Sequence, residues 1–262
     1  MRSRYIFIYR FFYSLLLISV PASGQTATQN SLAVSRTAPQ NTTKPSPAVP
    51  TFKKAFVIDD RLAVLRRQPA LQGEVIRRLR LGHAVYIVGT SKAISGEPRF
   101  YRVAVTRRTR GWIHEAALAI QGHPGDDQRI LELIEASQGI EKITLCRLLS
   151  ESFSRSRLVA RSTLLLGEEA ERVAVNLSQR IRRRLGELSG AAAAVRDYYL
   201  SDAGLDRYSK LGVVFDFNES TVEFVYNGRA YREVIKRFPM TEEAAVARKR
   251  LEASTKKISN RS

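Results

Sequence analysis

The sequence predicts a multidomain α+β protein in which a small antiparallel β-barrel precedes an all-α region of helical hairpins. Two observations lead to this class. Residues 62–118 alternate short β-branched and aromatic runs with proline and glycine, as short antiparallel strands do. From Asp126 onward, helix formers predominate, with apolar residues at three- and four-residue spacing.

The β module is predicted from the order of its apolar runs and turns. Apolar runs at 62–65, 75–76, 85–88, 100–103 and 110–113 give five short strands. Pro69 and Gly82 mark turns between them, and no long helix fits this stretch. We assign the module to residues 55–119.

These turns and strands resemble those of the bacterial SH3-like domain family. The matching segments are Arg66-Arg67-Gln68-Pro69, Leu79-Arg80-Leu81-Gly82, Phe100-Tyr101-Arg102-Val103 and Gly111-Trp112-Ile113. Gln68 and Phe100 stand where the family tends to have glycine and tryptophan. The resemblance implies an SH3-like β-barrel whose role is binding rather than catalysis.

The expected ligand-binding residues are aromatic and arginine side chains of this barrel. The aromatic rings would supply apolar contact, and the arginines would pair with carboxylates of a peptide or wall stem. Two other interpretations stay open: a solvated basic face that only keeps the domain soluble, and a core position for Trp112. The expected site residues are Tyr86, Arg99, Tyr101, Arg102, Arg110 and Trp112.

The N-terminus has the organisation of a cleaved signal peptide at 1–24. Arginines precede an apolar stretch at 11–20, and Ala22-Ser23-Gly24 forms a small-residue cleavage site. An uncleaved anchor is the alternative, but a membrane span needs about twenty apolar residues. We therefore expect an exported protein, periplasmic or extracellular, with no stable membrane span after cleavage. Residues 25–54 predict a disordered linker, and residues 256–262 a disordered basic tail.

The net charge of +18 is concentrated in the β module. Residues 55–119 contain twelve Lys and Arg against five Asp and Glu, which gives +7. Such an excess usually indicates nucleic acid, but export removes the protein from the nucleic acid of its own cell. The expected partners are therefore cell-wall peptide or peptidoglycan, or another envelope protein, and not nucleic acid.

The single cysteine, Cys146, raises the question of a thiol nucleophile. Together with His83, His114 and His123 it could form a papain-like site. However, Cys146 falls within an apolar helical pattern at 143–149, which predicts a buried thiol. We expect no catalytic residue, no metal site and no cofactor. A degenerate peptidase or hydrolase accessory unit is the weakest of the alternatives.

Residues 126–255 predict a helical domain with a weak internal repeat. Helices are expected at 126–135, from 145 to Phe153, after a Ser156 cap, at 168–188, and after Asn218 or Ser220. A shift of 85 residues aligns Cys146 with Tyr231, Phe153 with Phe238 and Ser156 with Thr241. The segment from Tyr231 to Arg248 resembles the tetratricopeptide pattern. This resemblance implies the alternative function, a periplasmic scaffold or assembly protein that makes protein–protein contacts.

Overall fold

Seven antiparallel strands form one sheet at the beginning of the described chain. The computed structural model describes residues 52–91, 98–187 and 204–259. The predicted signal peptide, nearly all of the predicted linker and the last three residues of the predicted tail lie outside the described residues. The strands are β1 (Lys53–Val57), β2 (Val64–Arg66), β3 (Val75–Arg78), β4 (Ala84–Thr90), β5 (Phe100–Ala104), β6 (Arg110–His114) and β7 (Leu118–Ile120).

The sheet is open, with the strand order β3-β2-β6-β5-β4-β1-β7. β4 carries a bulge between Ile87 and Gly89 in its pairing with β5; the residues before the bulge pair with both β1 and β5, and those after it pair with β5. A bulge bends its strand and increases the local twist. The bent sheet surrounds an inner core to which β1, β2, β4, β5 and β6 all contribute buried side chains, among them Leu65, Val85 and Val103.

A second irregularity lies at one edge of the sheet. Between Leu65 and Arg66 the register of the β2–β3 pair shifts, so that one extra residue, Ile76, is accommodated in β3. All four residues of β3 are exposed. At the other edge, every residue of β7 is buried, and a short 3₁₀ helix (Glu115–Ala117) leads into it.

Within the described residues, six α-helices and a β-hairpin follow the sheet, so the predicted α+β class is confirmed. The first helix agrees with the prediction; the second begins at Gly139, earlier than expected, and Phe153 ends it as expected. The helices are α1 (Asp126–Ala136), α2 (Gly139–Ser152), α3 (Val159–Glu187), α4 (Leu205–Lys210), α5 (Arg229–Arg237) and α6 (Glu242–Ser259). α6 therefore continues beyond position 255, where the helical domain was expected to end.

The third and fourth predicted helices are one continuous helix, α3. Gly167, which falls between the two predicted helices, lies inside α3 and does not interrupt it. A Cβ atom at this position would lie 2.5 Å from Cε1 of Tyr231, whose ring is fully buried on α5. The glycine therefore serves the close approach of α5 to α3, and it does not mark a helix end.

The predicted helix after Asn218 is wrong, because this segment is a β-hairpin of β8 (Phe215–Asn218) and β9 (Glu223–Tyr226). The Asn218 side chain accepts backbone hydrogen bonds from Ser220 and Thr221, which closes a turn between the strands. Burial alternates along β9, where Phe224 and Tyr226 are buried, and Phe224 packs against α3, where its N–H donates to the Ser178 hydroxyl. The C-terminal region is consequently not all-α.

The two helix turns aligned by the 85-residue shift have matching backbone hydrogen bonds. Phe153 donates its N–H to the carbonyl four residues earlier, and Phe238 does the same. Ser156 and Thr241 each donate their N–H to the carbonyl of the preceding phenylalanine, three residues back. Both hydroxyls also accept a backbone N–H: Ser156 from Leu158, one residue before α3, and Thr241 from Ala244 in α6. The α2–α3 and α5–α6 turns are therefore locally equivalent.

α1 is attached to the sheet through a buried carboxylate. Asp126 accepts a hydrogen bond of 2.7 Å from the Ile120 N–H and forms an ion pair of 2.8 Å with Arg129. Arg129 in turn donates to the carbonyls of Ala116 and Leu118. Around this junction, Phe56 of β1 shares one buried apolar cluster with side chains of α1, α2 and α3. The sheet and the helices thus form one continuous structure across the short 121–125 turn.

Candidate functional site

Cross-strand pairing brings basic and aromatic side chains together on the outer face of the sheet. In one row, Arg66 on β2, Trp112 on β6 and Arg102 on β5 are direct neighbours. In the next row, Tyr86 on β4 and Arg110 on β6 flank the same residue of β5. Directly paired residues of antiparallel strands point to the same face. We call these five side chains the arginine–tryptophan face.

The alternation of β6 places Trp112 on this outer face. Its neighbours Gly111 and Ile113 are buried, and Ile113 belongs to the inner core. Trp112 itself is partly exposed. The indole therefore contributes to the surface, while the residues on either side of it supply the packing beneath.

Two of the predicted site residues do not belong to the face. Tyr101 pairs with Ile113 and packs against the inner core. Its burial raises the pKa of its hydroxyl above the ordinary value. Arg99 lies just before β5, and its carbonyl accepts the N–H of Glu115. The structure therefore brings together four of the six predicted residues.

Sequence reasoning missed two basic residues of this surface. Arg66 joins the face through the pairing of β2 with β6, and Lys54 lies opposite Tyr86 through the pairing of β1 with β4. Both pairings connect strands that are distant in sequence. For Lys54, the available sequence signal was strand alternation: Ala55 and Val57 face the inner core, so Lys54 faces outward.

The arginine–tryptophan face is electropositive and open to solvent. Arg66 donates one hydrogen bond, of 2.8 Å, to the Gly73 carbonyl. Within the described residues, no carboxylate lies within 4.0 Å of the guanidinium group of Arg102 or Arg110. Both arginines and Tyr86 are exposed. Their hydrogen-bond donors are available to an anionic ligand.

Among the described residues, the helices cover one end of the same outer face. Phe56 on β1 and Ala119 on β7 are directly paired, and both are buried in the cluster shared with α1 and α2. Lys54 precedes Phe56 by two residues on β1, and its amino group lies 5.0 Å from the centre of the Phe56 ring. The uncovered part of the outer face therefore begins at Lys54 and Tyr86.

Cys146 is buried, as the sequence predicts. Burial raises the pKa of its thiol to about 12, so the sulfur is protonated at neutral pH. Two of the three histidines have structural partners: His114 accepts the N–H of Ala116, and His123 lies 3.6 Å from Asp126. Among the residues that the structure describes, no three His, Cys, Asp or Glu side chains are grouped to hold a metal ion.

Burial of the Cys146 thiol and the Tyr226 hydroxyl makes the free energy of unfolding depend on pH in the alkaline range. Burial raises the pKa of Cys146 from 9.0 and that of Tyr226 from 10.0, both to about 12. Below pH 9 both groups are protonated in the folded and the unfolded chain, so their contribution is complete. As pH rises from 9 to 12 the unfolded chain ionises first, and the free energy of unfolding should fall by about 1.4 kcal/mol per pH unit for each ionised group.

Urea denaturation at several alkaline pH values measures this slope. Cys146→Ala and Tyr226→Phe should each reduce the slope, whatever they cost in stability at pH 7. A Cys146→Ala variant that retains the wild-type slope between pH 9 and 10 would show that the thiol does not cause it.

A groove of about 500 Å³ lies between α3, β9 and α6. Its charged side chains are already paired with one another: Arg250 lies 3.7 Å from both Glu168 and Glu171, and Arg182 lies 3.3 Å from Glu223. The groove therefore has less free charge than the arginine–tryptophan face.

Comparisons with known proteins give no relative for this chain. No family model matches it, and neither the curated proteins nor the solved structures include a significant match. In the described part of the chain, no helix combines the length and apolarity needed to cross a membrane.

Proposed function

We propose that this chain is an exported, non-catalytic binding protein whose basic SH3-like barrel binds a cell-envelope ligand, either peptidoglycan or a peptide. The observation that carries the proposal is the arginine–tryptophan face. It combines two accessible aromatic side chains on one sheet with guanidinium groups that have no carboxylate partner among the described residues. Binding sites on regular strands hold their side chains more firmly than sites on loops.

The fold supports the SH3-like part of this proposal. Seven short strands bend around a single inner core, and β4 carries a bulge in its pairing with β5. A bulge bends its strand and increases the local twist, which allows a small sheet to curl. The helical region is proposed to be tetratricopeptide-like because its α2–α3 and α5–α6 turns are equivalent.

The chemistry of the face favours a ligand with carboxylates and an apolar surface. Arg66 and Arg102 lie on either side of Trp112, two interstrand spacings apart, or about 10 Å. Arginine pairs bidentately with carboxylates, and an indole offers a flat apolar surface between the two charges. A wall stem peptide carries separate carboxylates along a short chain and satisfies both requirements.

Sedimentation with purified wall sacculi tests the proposal. The full chain should sediment with the sacculi at low salt, and Arg102→Ala or Trp112→Ala should weaken binding by about tenfold or more, because each removes a direct contact. The bound fraction should also decrease as salt increases, since exposed charges are screened.

Arg155→Ala provides the matched control. Arg155 is an exposed arginine in the α2–α3 turn, and its replacement removes the same charge outside the arginine–tryptophan face. Wild-type protein that stays in the supernatant, or Arg102→Ala and Trp112→Ala variants that sediment like Arg155→Ala, would contradict wall binding through this face.

A further inference from the structure

A second, smaller cleft lies among the helices, separate from the arginine–tryptophan face. It has a volume of about 260 Å³ and is bordered by α2, α3, α4 and α5. Four basic side chains and two acidic ones line it, so the cleft is electropositive. Apolar side chains, including Leu166 and Leu211, and the hydroxyls of Ser150 and Thr163 form the rest of its wall.

Two arginines converge at one point of this cleft, above Gly212. A Cβ atom at Gly212 would lie 3.7 Å from Nη1 of Arg229 and 3.8 Å from Nη1 of Arg147. Gly212 has a φ of +72°, a conformation that side-chain-bearing residues rarely adopt. The glycine therefore leaves open the space between two guanidinium groups from different helices.

The two arginines differ in how their charges are satisfied. Arg147 is held in place: it pairs with Glu151 and donates to the Lys210 carbonyl at 3.0 Å. The other basic residues of the cleft are also paired, Lys210 with Asp206 and Arg237 with Glu233. For the Arg229 guanidinium, no carboxylate lies within 4.0 Å among the described residues.

The position of Arg229 is unfavourable for the stability of its own helix. It is the first residue of α5, whose first turn contains no acidic residue. The N-terminus of a helix carries partial positive charge, so a cation there is destabilising. A residue that weakens its own helix is expected at a functional site, and the Arg229 guanidinium lines the cleft.

From these observations we infer that the cleft between α2 and α5 binds a small organic carboxylate, with the carboxylate between Arg147 and Arg229 over Gly212. The volume suits a molecule of amino-acid or dipeptide size, because drug-sized ligands occupy pockets of about 300 Å³ or more. The apolar wall favours an organic anion over a bare inorganic one, since Leu166 and Leu211 offer no polar contact.

Isothermal titration of the full chain with acetyl-alanyl-alanine, its C-terminal amide and inorganic phosphate tests this assignment. The acid should bind, the amide should bind at least about tenfold more weakly, and Arg229→Gln should weaken binding of the acid by a similar factor. Arg207→Gln, an exposed arginine of α4 outside the cleft, should bind like wild type.

Three results would overturn the inference. The wild-type chain could fail to bind the acid, the Arg229→Gln variant could bind it as tightly as wild type does, or phosphate could bind more tightly than the dipeptide. Thermal melting of both variants checks that they fold. Because the titration contains no wall material, its outcome is independent of the sacculus experiment.

Discussion

Replacing Asp126 with alanine should lower the free energy of unfolding by about 3 kcal/mol and separate the unfolding of the sheet from that of the helices. The change leaves the buried N–H of Ile120 without an acceptor and removes the ion-pair partner of Arg129. An unsatisfied buried donor costs about 1–3 kcal/mol, and a broken buried pair costs more. The Arg129 side chain is 41% exposed, which limits the second contribution.

Two optical signals can follow the two parts of the protein during urea denaturation. Trp112 is the only tryptophan and lies in the sheet, whereas ellipticity at 222 nm mainly reports the helices. In the wild type both transitions should coincide, and in Asp126→Ala the tryptophan transition should occur at a different urea concentration. Coincident transitions test for a single cooperative unit.

Glu132→Ala is the control for this experiment. Glu132 lies on the exposed side of α1, and its loss should change stability by no more than about 0.5 kcal/mol. If Asp126→Ala changes stability as little as Glu132→Ala does, the buried carboxylate does not hold α1 to the sheet.

Gly167→Ala should destabilise the protein by about 1–3 kcal/mol, although the same change at an open helix position stabilises by about 1 kcal/mol. The sign is reversed because the added methyl group would meet Cε1, Cδ1 and Cζ of Tyr231 at 2.5–2.9 Å. The Tyr231 ring is fully buried and cannot swing away, so α5 must move relative to α3.

A double-mutant cycle isolates this contact. In a Tyr231→Ala background, Gly167→Ala should become neutral or stabilising, because the obstructing ring is gone. Asn176→Ala, at an exposed position of the same helix, should stabilise slightly in either background. A stabilising Gly167→Ala in the otherwise wild-type chain would contradict the packing described for α3 and α5.

The strands at 64–66, 75–78, 84–90, 100–104 and 110–114 could be predicted because their signals are local. β2 pairs with β3, β4 with β5 and β5 with β6, so each of these strands has a partner next to it along the chain. β1 and β7 were not predicted, since β1 pairs with β4 and with β7, and both partners are distant from it in sequence. Strand alternation was a usable signal for the hairpin at Phe215–Tyr226, but Asn218 was interpreted as a helix cap rather than a turn residue.

Part of the candidate site could also be predicted from the sequence, because some of its residues lie on strands that are adjacent along the chain. Arg102 and Trp112 belong to neighbouring strands of one hairpin, so local register places them together. Tyr101 precedes Arg102 by one residue, and strand alternation alone puts it on the opposite face. Arg66 required the pairing of β2 with β6, which depends on tertiary structure.

An open sheet has two edges at which a strand from another molecule could add, and this sheet protects each edge in a different way. On β7, the outward N–H of Ile120 and the outward carbonyl of Leu118 are occupied by Asp126 and Arg129. On β3, the irregular register at Ile76 and the exposed charges of Arg77 and Arg78 oppose pairing with a neighbour. The sheet is therefore open in its topology and yet closed to further strand addition at both edges, which protects the protein from edge-to-edge aggregation.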